Sequence, residues 1–380
     1  MFRQLVPLGL VIALLVGCQP TDPTDRPANI TTDTPANVSD DRLSIEISLQ
    51  EPVDTLLLVE VMSIGALDGP SEQTLFQTFS GFLDHEDRLF LANGGGPDIR
   101  EYNDKGAYVS AFGRQGRGPG EFERLQWIAP LGRDSILAYD GGSMMFTVFD
   151  KRGTYGRSFR IPAVGLGGQE PTWIDTSVDP NIFIAVSTGI RHVTMLEVGG
   201  SGRDSVKVIR VSHAGNDPST LLEIPNRWWQ KMPSTDAYNI RTIPNGPVAL
   251  VAVDQNLLFY TSNDVPMIDV MGINGVHHIR WRFADMKPTR DPDESPEFGL
   301  RYFGQIVTST VGQTWVSEAL VSDAGERRWH KLDGDGNRTA VATLPGSVRV
   351  WQFVTDGKVL GREVDELGVE YVKLFEFRDS

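Results

Sequence analysis

A turn pattern that recurs along the chain restricts its fold more than any other feature. It consists of an apolar residue, three mostly polar or small residues and a glycine, and it occurs at residues 102–106, 149–153, 198–202, 271–275 and 332–336. The glycine can adopt the positive φ that a tight hairpin turn requires. A strand-like segment follows each turn, at residues 107–112, 154–161, 204–211, 276–283 and 337–344. The pattern therefore predicts a succession of β-hairpins.

The spacing of these turns predicts a β-propeller. Two or three further strand-like segments precede each turn, so that one unit holds four strands over roughly 40–50 residues, a period typical of propeller blades. The spacing is longer at residues 213–244 and 285–299, which we interpret as loop insertions. No long amphipathic helical pattern occurs after residue 43, and 39 glycines with 23 prolines suit a hairpin-rich, all-β fold.

The two ends of the repeated region predict how the ring closes. Residues 347–378 hold only three strands, and residues 54–62 form a strand that precedes the first complete blade. Pairing this strand with the last three would complete a blade and remove exposed sheet edges. We therefore predict an all-β, six-bladed β-propeller over residues 43–380, with its last blade closed by the N-terminal strand.

Residues 1–17 have the order of a secretory signal peptide. Arg3 precedes an apolar segment from Leu5 to Val16. A helix of this length reaches roughly 20 Å, short of the ~30 Å hydrocarbon core of a membrane. The sequence Leu15-Val16-Gly17-Cys18 resembles the bacterial lipobox, which implies that Cys18 carries a lipid attached through a thioether, with more than one acyl chain such as palmitate. Cys18 is the only cysteine, and lipidation would account for a lone thiol in an exported protein.

Residues 18–42 predict a lipidated, disordered tether, because they are rich in Pro, Thr, Asp and Asn and poor in large apolar residues. The predicted location is the cell envelope, with the propeller in the periplasm or at the surface. Gln19 in place of aspartate favours the outer membrane. The chain holds 35 basic and 50 acidic residues, for a net charge of −15, which argues against nucleic acid as a partner.

Two segments carry a family resemblance. The stretch Ala111-Phe-Gly-Arg-Gln-Gly-Arg-Gly-Pro-Gly-Glu-Phe122 is similar to the junction between NHL-type repeats, and residues 99–106 match the segment that precedes it. The whole body resembles six-bladed propeller lipoproteins and exported proteins of environmental bacteria. NHL propellers include enzymes, RNA-binding modules and protein-binding modules, so the resemblance implies a fold and leaves the activity open.

Two segments are candidate ligand-binding sites. The loop at residues 113–120 carries Arg114 and Arg117, whose guanidinium groups suit an anion, although Glu121 could instead pair with an arginine in a simple inter-blade turn. Trp228 and Trp229, in the longer insertion, suit a sugar or an aromatic ligand if exposed, or else pack over the propeller edge. Strand alternation places the arginine loop and both insertions on one face, which we predict to be the binding face.

These features predict a ligand-binding, protein-binding or scaffold module with no resident cofactor and no catalytic residues. Its partners would be the membrane, through the lipid anchor, and a protein, small molecule or carbohydrate. The alternative is a metal-dependent hydrolase or lyase similar to lactonases, with calcium held in the central channel by acidic and amide side chains of the innermost strands.

Overall fold

A computed structural model describes residues 43–161, 171–178, 180–188, 199–232, 240–243, 246–276, 278–289, 300–309, 312–320, 325–354 and 357–378. The chain divides into two compact units, residues 1–41 and 42–380, and all that follows concerns the second. The predicted signal peptide, tether and lipidated Cys18 lie outside the described residues. Those residues form β-strands and no α-helix, so they include no helix that could span a membrane.

Two strands precede the first complete sheet: β1 (Leu43–Ile47) and β2 (Asp54–Ile64). The first sheet is antiparallel and contains β3 (Thr78–Leu83), β4 (Leu89–Asn93), β5 (Asp98–Tyr102) and β6 (Tyr108–Phe112). The second contains β7 (Leu125–Leu131), β8 (Ser135–Asp140), β9 (Met145–Asp150) and β10 (Tyr155–Phe159). The third contains β11 (Pro171–Asp175), β12 (Asn181–Ser187), β13 (Ser201–Ser212), β14 (Ser219–Lys231) and β15 (Ile240–Thr242).

The remaining strands form two larger sheets. The fourth sheet contains β16 (Leu250–Asp254), β17 (Leu257–Thr261), β18 (Met267–Gly272) and β19 (His278–Phe283), and β1 adds in parallel to β19. The last sheet contains β20 (Phe303–Thr308), β21 (Thr314–Glu318), β22 (Glu326–Leu332), β23 (Arg338–Pro345), β24 (Arg349–Phe353), β25 (Lys358–Val364) and β26 (Glu370–Arg378). With β2 it has eight strands, in the order β20-β21-β22-β23-β2-β26-β25-β24.

Strand β2 joins the two halves of the eight-stranded sheet. Residues 54–56 pair in parallel with β23, and residues 57–64 pair antiparallel with β26. The predicted pairing of this N-terminal strand with the last three strands is therefore confirmed. Strand β1 was not predicted: its five residues lie at the start of the predicted propeller region 43–380, whose first predicted strand began at residue 54.

The first strand of each four-stranded group lies on the inside of a closed ring. Strands β3, β7, β11, β16, β20 and β24 contact one another in that order, and β24 contacts β3. Apolar side chains fill the space between successive groups, such as Phe90 against Ile136 and Leu89 against Val372. Full burial of one such side chain contributes roughly 1.5–3 kcal/mol, so this face packing is the main force that holds the ring together.

The recurrent turn precedes the last strand of five groups, at residues 103–106, 150–153, 212–215, 272–275 and 333–336. A sixth turn of the same kind, at residues 365–368, joins β25 to β26, the second and third strands of the group that β2 completes. Each final glycine has a φ between 75° and 84° and donates its N–H to the carbonyl of the turn's first residue. The predicted turn at residues 198–202 is wrong, because Gly202 lies inside β13. The turn of that sheet ends at Gly215, and the sixth turn, ending at Gly368, was not predicted.

The proposed loop insertion at residues 213–244 is also wrong. Strand β14 occupies residues 219–231 as the fourth strand of its sheet, and β15 pairs with its end. Trp228 and Trp229 therefore lie within a strand, half-buried, instead of on an exposed loop. The second proposed insertion, residues 285–299, is described only as far as residue 289.

Candidate functional site

A pocket of about 440 Å³ opens where the inner strands β11, β16, β20 and β24 begin. Its wall includes Thr172, Leu250, Gln305 and Arg349, one residue from each of these four strands. Because the wall is shared by four inner strands, the pocket lies at one mouth of the central channel. This is the face predicted to bind, and the pocket's volume lies in the range of small-molecule sites, about 300–1,000 Å³.

Arginines dominate the charge of this pocket. Arg227, Arg301, Arg327 and Arg349 all line it, and Asp204 is the one acidic side chain in its described lining. The chain as a whole carries a net charge of −15, so a cluster of positive charge at this position runs against the average of the molecule. The pocket therefore differs electrostatically from the protein that surrounds it.

Asp204 is committed to holding the backbone of its own sheet. Its Oδ1 accepts the backbone N–H of Arg227 at 2.7 Å, and its Oδ2 accepts from Ser187 Oγ at 2.9 Å and from Asn226 Nδ2 at 3.4 Å. The residue is only 3% exposed. All three donors are neutral, so none of these contacts pairs Asp204 with a guanidinium group.

Arg349 stands directly opposite Arg362 in the pairing of β24 with β25. Arg362 donates to Glu370 at 2.7 Å, whereas the side chain of Arg349 has no hydrogen bond or ion pair with any described residue. The Arg349 side chain is exposed at the pocket wall; partial loss of hydration there, and then the like charges of Arg362 and Arg227, lower its pKa. Like charges placed opposite each other destabilise a sheet, so this wall of the pocket has an electrostatic strain that an anion would relieve.

Two further arginines are positioned by the start of β20. Arg301 donates from Nε to the carbonyl of Phe303 at 3.2 Å and from Nη2 to that of Gly304 at 3.3 Å. Gly304 makes room for the second: a Cβ there would lie 3.4 Å from Arg327 Nε and 2.6 Å from Ser317 Oγ. The local backbone therefore holds the guanidinium group of Arg301 at the pocket wall and leaves room there for that of Arg327.

Two indoles complete the lining. Trp173 on β11 and Trp229 on β14 both face the pocket. The Nε1–H of Trp229 is buried and has no hydrogen-bond acceptor among the described residues. Trp228 is not among the lining residues, and its ring packs 5.9 Å from the guanidinium carbon of Arg203. Of the two tryptophans selected from the sequence, only Trp229 reaches the pocket.

The arginine loop selected from the sequence connects β6 to β7 and compensates its own charge. Arg114 Nη2 lies 2.7 Å from Glu121 Oε1, and Arg117 pairs with Glu123. Glu121 also accepts the backbone N–H of Gly118 at 2.8 Å, and this bond, followed by Arg114, lowers the pKa of Glu121. A groove of about 540 Å³ beside the loop has both acidic and basic side chains. The proposed anion site on this loop stays a prediction.

The arginine-lined pocket does not fit the calcium ion that the lactonase-like alternative implies. Calcium takes 6–8 oxygen ligands, whereas guanidinium groups repel it. Among the described residues, no three His, Cys, Asp or Glu side chains are grouped so that they could hold a metal.

Two acidic residues, Asp175 and Asp254, lie at the other ends of the inner strands β11 and β16. Burial, followed by the charge of Asp175, raises the pKa of Asp254 to about 6.

The pocket arginines were not selected from the sequence. They belong to separate strands or connections between Arg227 and Arg349, and each one alone is an ordinary charged residue. The available signal was Arg349 itself, a charged residue that opens the otherwise largely apolar strand β24. A charged residue at the start of an innermost strand lies near the channel mouth, where a group of opposite charge would stabilise it.

Comparison with known proteins supports the fold. No family model and no curated protein sequence matches the chain. A protein of Bacteroides fragilis described as exported is similar over 89% of this chain and 99% of its own, with 12% identity and a TM-score of 0.51. A member of the DUF4221 family from Bacteroides vulgatus is similar over 87% and 100%, with 12% identity and a TM-score of 0.54. Together with the closed ring of antiparallel sheets, this likeness identifies the fold as a β-propeller.

Proposed function

We propose that the protein is a binding module that captures a small organic anion in the pocket at the channel mouth. The observation that carries this proposal is Arg349, which faces Arg362 and Arg227 and has no acidic partner among the described residues. Guanidinium groups form charge-assisted, often bidentate hydrogen bonds with carboxylate and phosphate. A bound anion would therefore convert the repulsion among these arginines into attraction.

The overall charge of the protein favours a small ligand over a polyanion. A net charge of −15 repels extended polyanions such as nucleic acid. Screening at physiological salt confines each charge to about 8 Å, so inside the pocket the nearby arginines outweigh the distant carboxylates. A compact anion can reach the guanidinium groups without covering the acidic surface around them.

Calorimetric titration tests this function. Citrate, phosphate and 1-naphthoate would be titrated into the wild-type protein, into Arg349→Gln and into Arg114→Gln, a control outside the pocket. We expect at least one of these anions to bind the wild type, with affinity about 10–100-fold weaker in Arg349→Gln, because hydrogen bonds to charged groups contribute about 1.5–3 kcal/mol. Arg114→Gln should bind as the wild type does. Equal affinity in all three proteins, or no binding to any, would contradict the proposal.

We also propose that the ring has six blades and that the protein works outside the cytoplasm as a lipoprotein. Six inner strands support the blade count, if the eight-stranded sheet is taken as two blades that share β2. The recurrent turn precedes the last strand in five of these blades, and in the sixth the last strand is β2, from the N-terminal part of the chain. The signal-like residues 1–17 and the lipobox-like sequence ending at Cys18 support the location. One of the structurally similar proteins is itself described as exported.

Metabolic labelling tests the lipid anchor. Cells that express the chain would be grown with labelled palmitate, and the label should appear on the wild-type protein and not on Cys18→Ser. Mass spectrometry of the purified protein should then find a modified Cys18 at the new N-terminus. An unmodified cysteine that is retained behind residues 1–17 would rule the anchor out.

A further inference from the structure

We infer that the anion bound in this pocket is carried on a flat aromatic ring, so that the ligand is an aromatic organic acid. This inference rests on the proposed function and adds the part of the ligand that the arginines do not contact. It is carried by Trp229 and Trp173, which share the pocket with the guanidinium groups. Arginines alone would serve any small anion, whereas indoles beside them add affinity for a ring.

Among the described residues, Trp229 belongs to none of the apolar clusters that hold neighbouring sheets together. Its partner across the pairing with β13 is Gly202, which has no side chain to cover the indole. Its partner on β15 is the smaller Thr242. The large indole of Trp229 therefore lies at the pocket and is not packed into the hydrophobic core.

Trp173 supplies a fixed second wall. It is half-buried and packs against the apolar cluster between the third and fourth sheets, which includes Val208 and Leu258. This packing restricts the indole, so a ligand that stacks on it loses little side-chain freedom of the protein. The two indoles come from the first and fourth strands of the third sheet, which also supplies Arg227, and the other arginines come from the eight-stranded sheet and the connection before β20.

The neutral polar side chains of the lining are already occupied by the protein. Gln305 bonds both ways with the backbone of Val350, at 2.9 and 3.1 Å, and Thr172 Oγ1 donates to the carbonyl of Ala185 at 3.2 Å. Asn226 Oδ1 accepts from the backbone of Ala249 at 3.0 Å. Few neutral polar groups therefore remain to form hydrogen bonds with the hydroxyl groups of a sugar. Ionic contacts from the arginines and ring contacts from the tryptophans become the main interactions with a ligand.

The Nε1–H of Trp229 has almost no surface open to the pocket. It is buried without an acceptor among the described residues. The indole therefore offers a ligand its ring, and the guanidinium groups supply the contacts to the acid group.

The test uses pairs of probes that differ only in the ring, titrated calorimetrically into the full chain. 1-Naphthoate is compared with acetate, and AMP with ribose 5-phosphate. We expect each ring-bearing member to bind about tenfold or more tightly than its partner, in line with the contribution of one aromatic stacking contact. The two pairs also distinguish two classes of ligand, an aromatic carboxylate and a nucleotide. The pair in which the ring increases the affinity more identifies the class that the pocket prefers. Glucuronate serves as the non-aromatic ring acid and should bind no better than acetate.

Variants of Trp229 assign the effect to this residue. Trp229→Leu should reduce the advantage of naphthoate over acetate, because one of the two indoles is lost, and Trp229→Phe, which keeps an aromatic ring, should preserve most of that advantage. Urea unfolding of both variants checks that they fold, and the comparison of probes on the wild type needs no variant at all. Equal affinities within both pairs, or glucuronate bound as tightly as naphthoate, overturn this inference and leave the anion-binding function standing. Failure of every anion to bind overturns both.

Discussion

At the scale of single residues, the pocket concentrates charges that oppose folding. Arg349 and Arg362 face each other across two strands, and Glu370 pairs with only the second of them. Glu370 also accepts the backbone N–H groups of Gln77 and Thr78, at 3.0 and 2.7 Å, so its charge serves the junction between sheets as well. Binding residues that repel one another in the empty site are a common reason for a protein to be less stable than its fold permits.

This arrangement predicts that Arg349→Gln stabilises the protein when no anion is present. Removing one of two opposed like charges should raise the unfolding free energy by about 0.5 kcal/mol. Urea unfolding in low salt measures the gain, which should shrink in high salt because ions screen the repulsion. The comparison variant is Arg280→Gln, since Arg280 pairs with Asp269 at 2.7 Å and its loss should destabilise. A destabilised Arg349→Gln would argue against the repulsion.

The raised pKa of Asp254 predicts that replacing its carboxylate stabilises the protein to an extent that depends on pH. Its folded pKa, about 6, is above the ordinary 3.8, so the folded state favours the protonated form. Stability of the wild type is therefore greatest below about pH 4 with respect to this group and falls as pH rises through 6. Asp254→Asn should be more stable than the wild type at pH 7.5, by about 1–3 kcal/mol, and no more stable at pH 4. Thermal unfolding at the two pH values measures the difference.

Asp140 provides the control with the opposite sign. Burial alone would raise the pKa of Asp140, but hydrogen bonds from Ser143 and from the backbone of Glu123 and Arg124 lower it overall. Its stabilising effect is thus present at neutral pH and lost in acid, so Asp140→Asn should be destabilised at pH 7.5. If both variants shifted in the same direction at that pH, the assigned pKa directions would be wrong.

At the scale of the element, the turn pattern predicted most strands but misplaced one repeat. In the third sheet, both Gly202 and Gly215 end segments that fit the pattern. Only the hairpin pairing of β13 with β14 shows that the turn ends at Gly215. Strand β14 was taken for a loop because Pro225 and several polar residues interrupt its apolar character. Local spacing cannot decide such cases, since the deciding contacts join residues that the chain folds together later.

The turn glycines predict a graded response to substitution by alanine. Gly153 and Gly275 have φ values of 84° and 81°, so both variants pay the left-handed strain of about 1–2 kcal/mol. A Cβ on Gly153 would lie 2.5 Å from Phe112 Cγ, whereas a Cβ on Gly275 meets no atom within 4 Å. Gly153→Ala should therefore lose about 1–3 kcal/mol more than Gly275→Ala, as overpacking of a close contact does. Equal urea midpoints for the two would show that the turn does not bear on the neighbouring sheet.

The candidate site was less predictable than the strands. Trp229 was selected for its neighbouring tryptophan and arginine, and it does reach the pocket, but from a strand and not from a loop. Arg114 and Arg117 stood out because glycines surround them, yet their charges are met by glutamates of the same segment. The one local signal for Arg349, a charge that opens a largely apolar strand, is informative only once that strand is known to be an inner one. A site assembled by closing a ring brings together residues whose separation in sequence hides their proximity.

At the scale of the whole molecule, the pairing of β2 with β26 closes the ring and predicts an unusually effective crosslink. Val59 pairs with Glu376, more than 300 residues away. A disulfide in Val59→Cys/Glu376→Cys should stabilise the protein more than one in Thr147→Cys/Ser158→Cys, whose residues are 11 apart. The chain-entropy treatment gives a difference of about 3 kcal/mol in favour of the longer loop.

Thermal unfolding with and without reductant measures both disulfides, in a Cys18→Ser background that removes the native thiol. The side chains of Thr147 and Ser158 already lie 2.9 Å apart, so the short crosslink should form without distortion. A larger gain from the short crosslink would indicate that the ring stays closed in the unfolded ensemble, or that the pairing of β2 with β26 is strained.

The position of β2 also sets an order of events during biosynthesis. Its partner β26 begins about 300 residues later, which at about 5–20 residues per second is a delay of roughly 15–60 s on the ribosome. Throughout that interval β2 lacks its antiparallel neighbour, and the edges it will cover are open to other chains. A translation product cut short before β26 would remain in this state permanently. Quality-control proteases and chaperones that recognise unpaired edges would therefore distinguish complete from incomplete copies by a single strand.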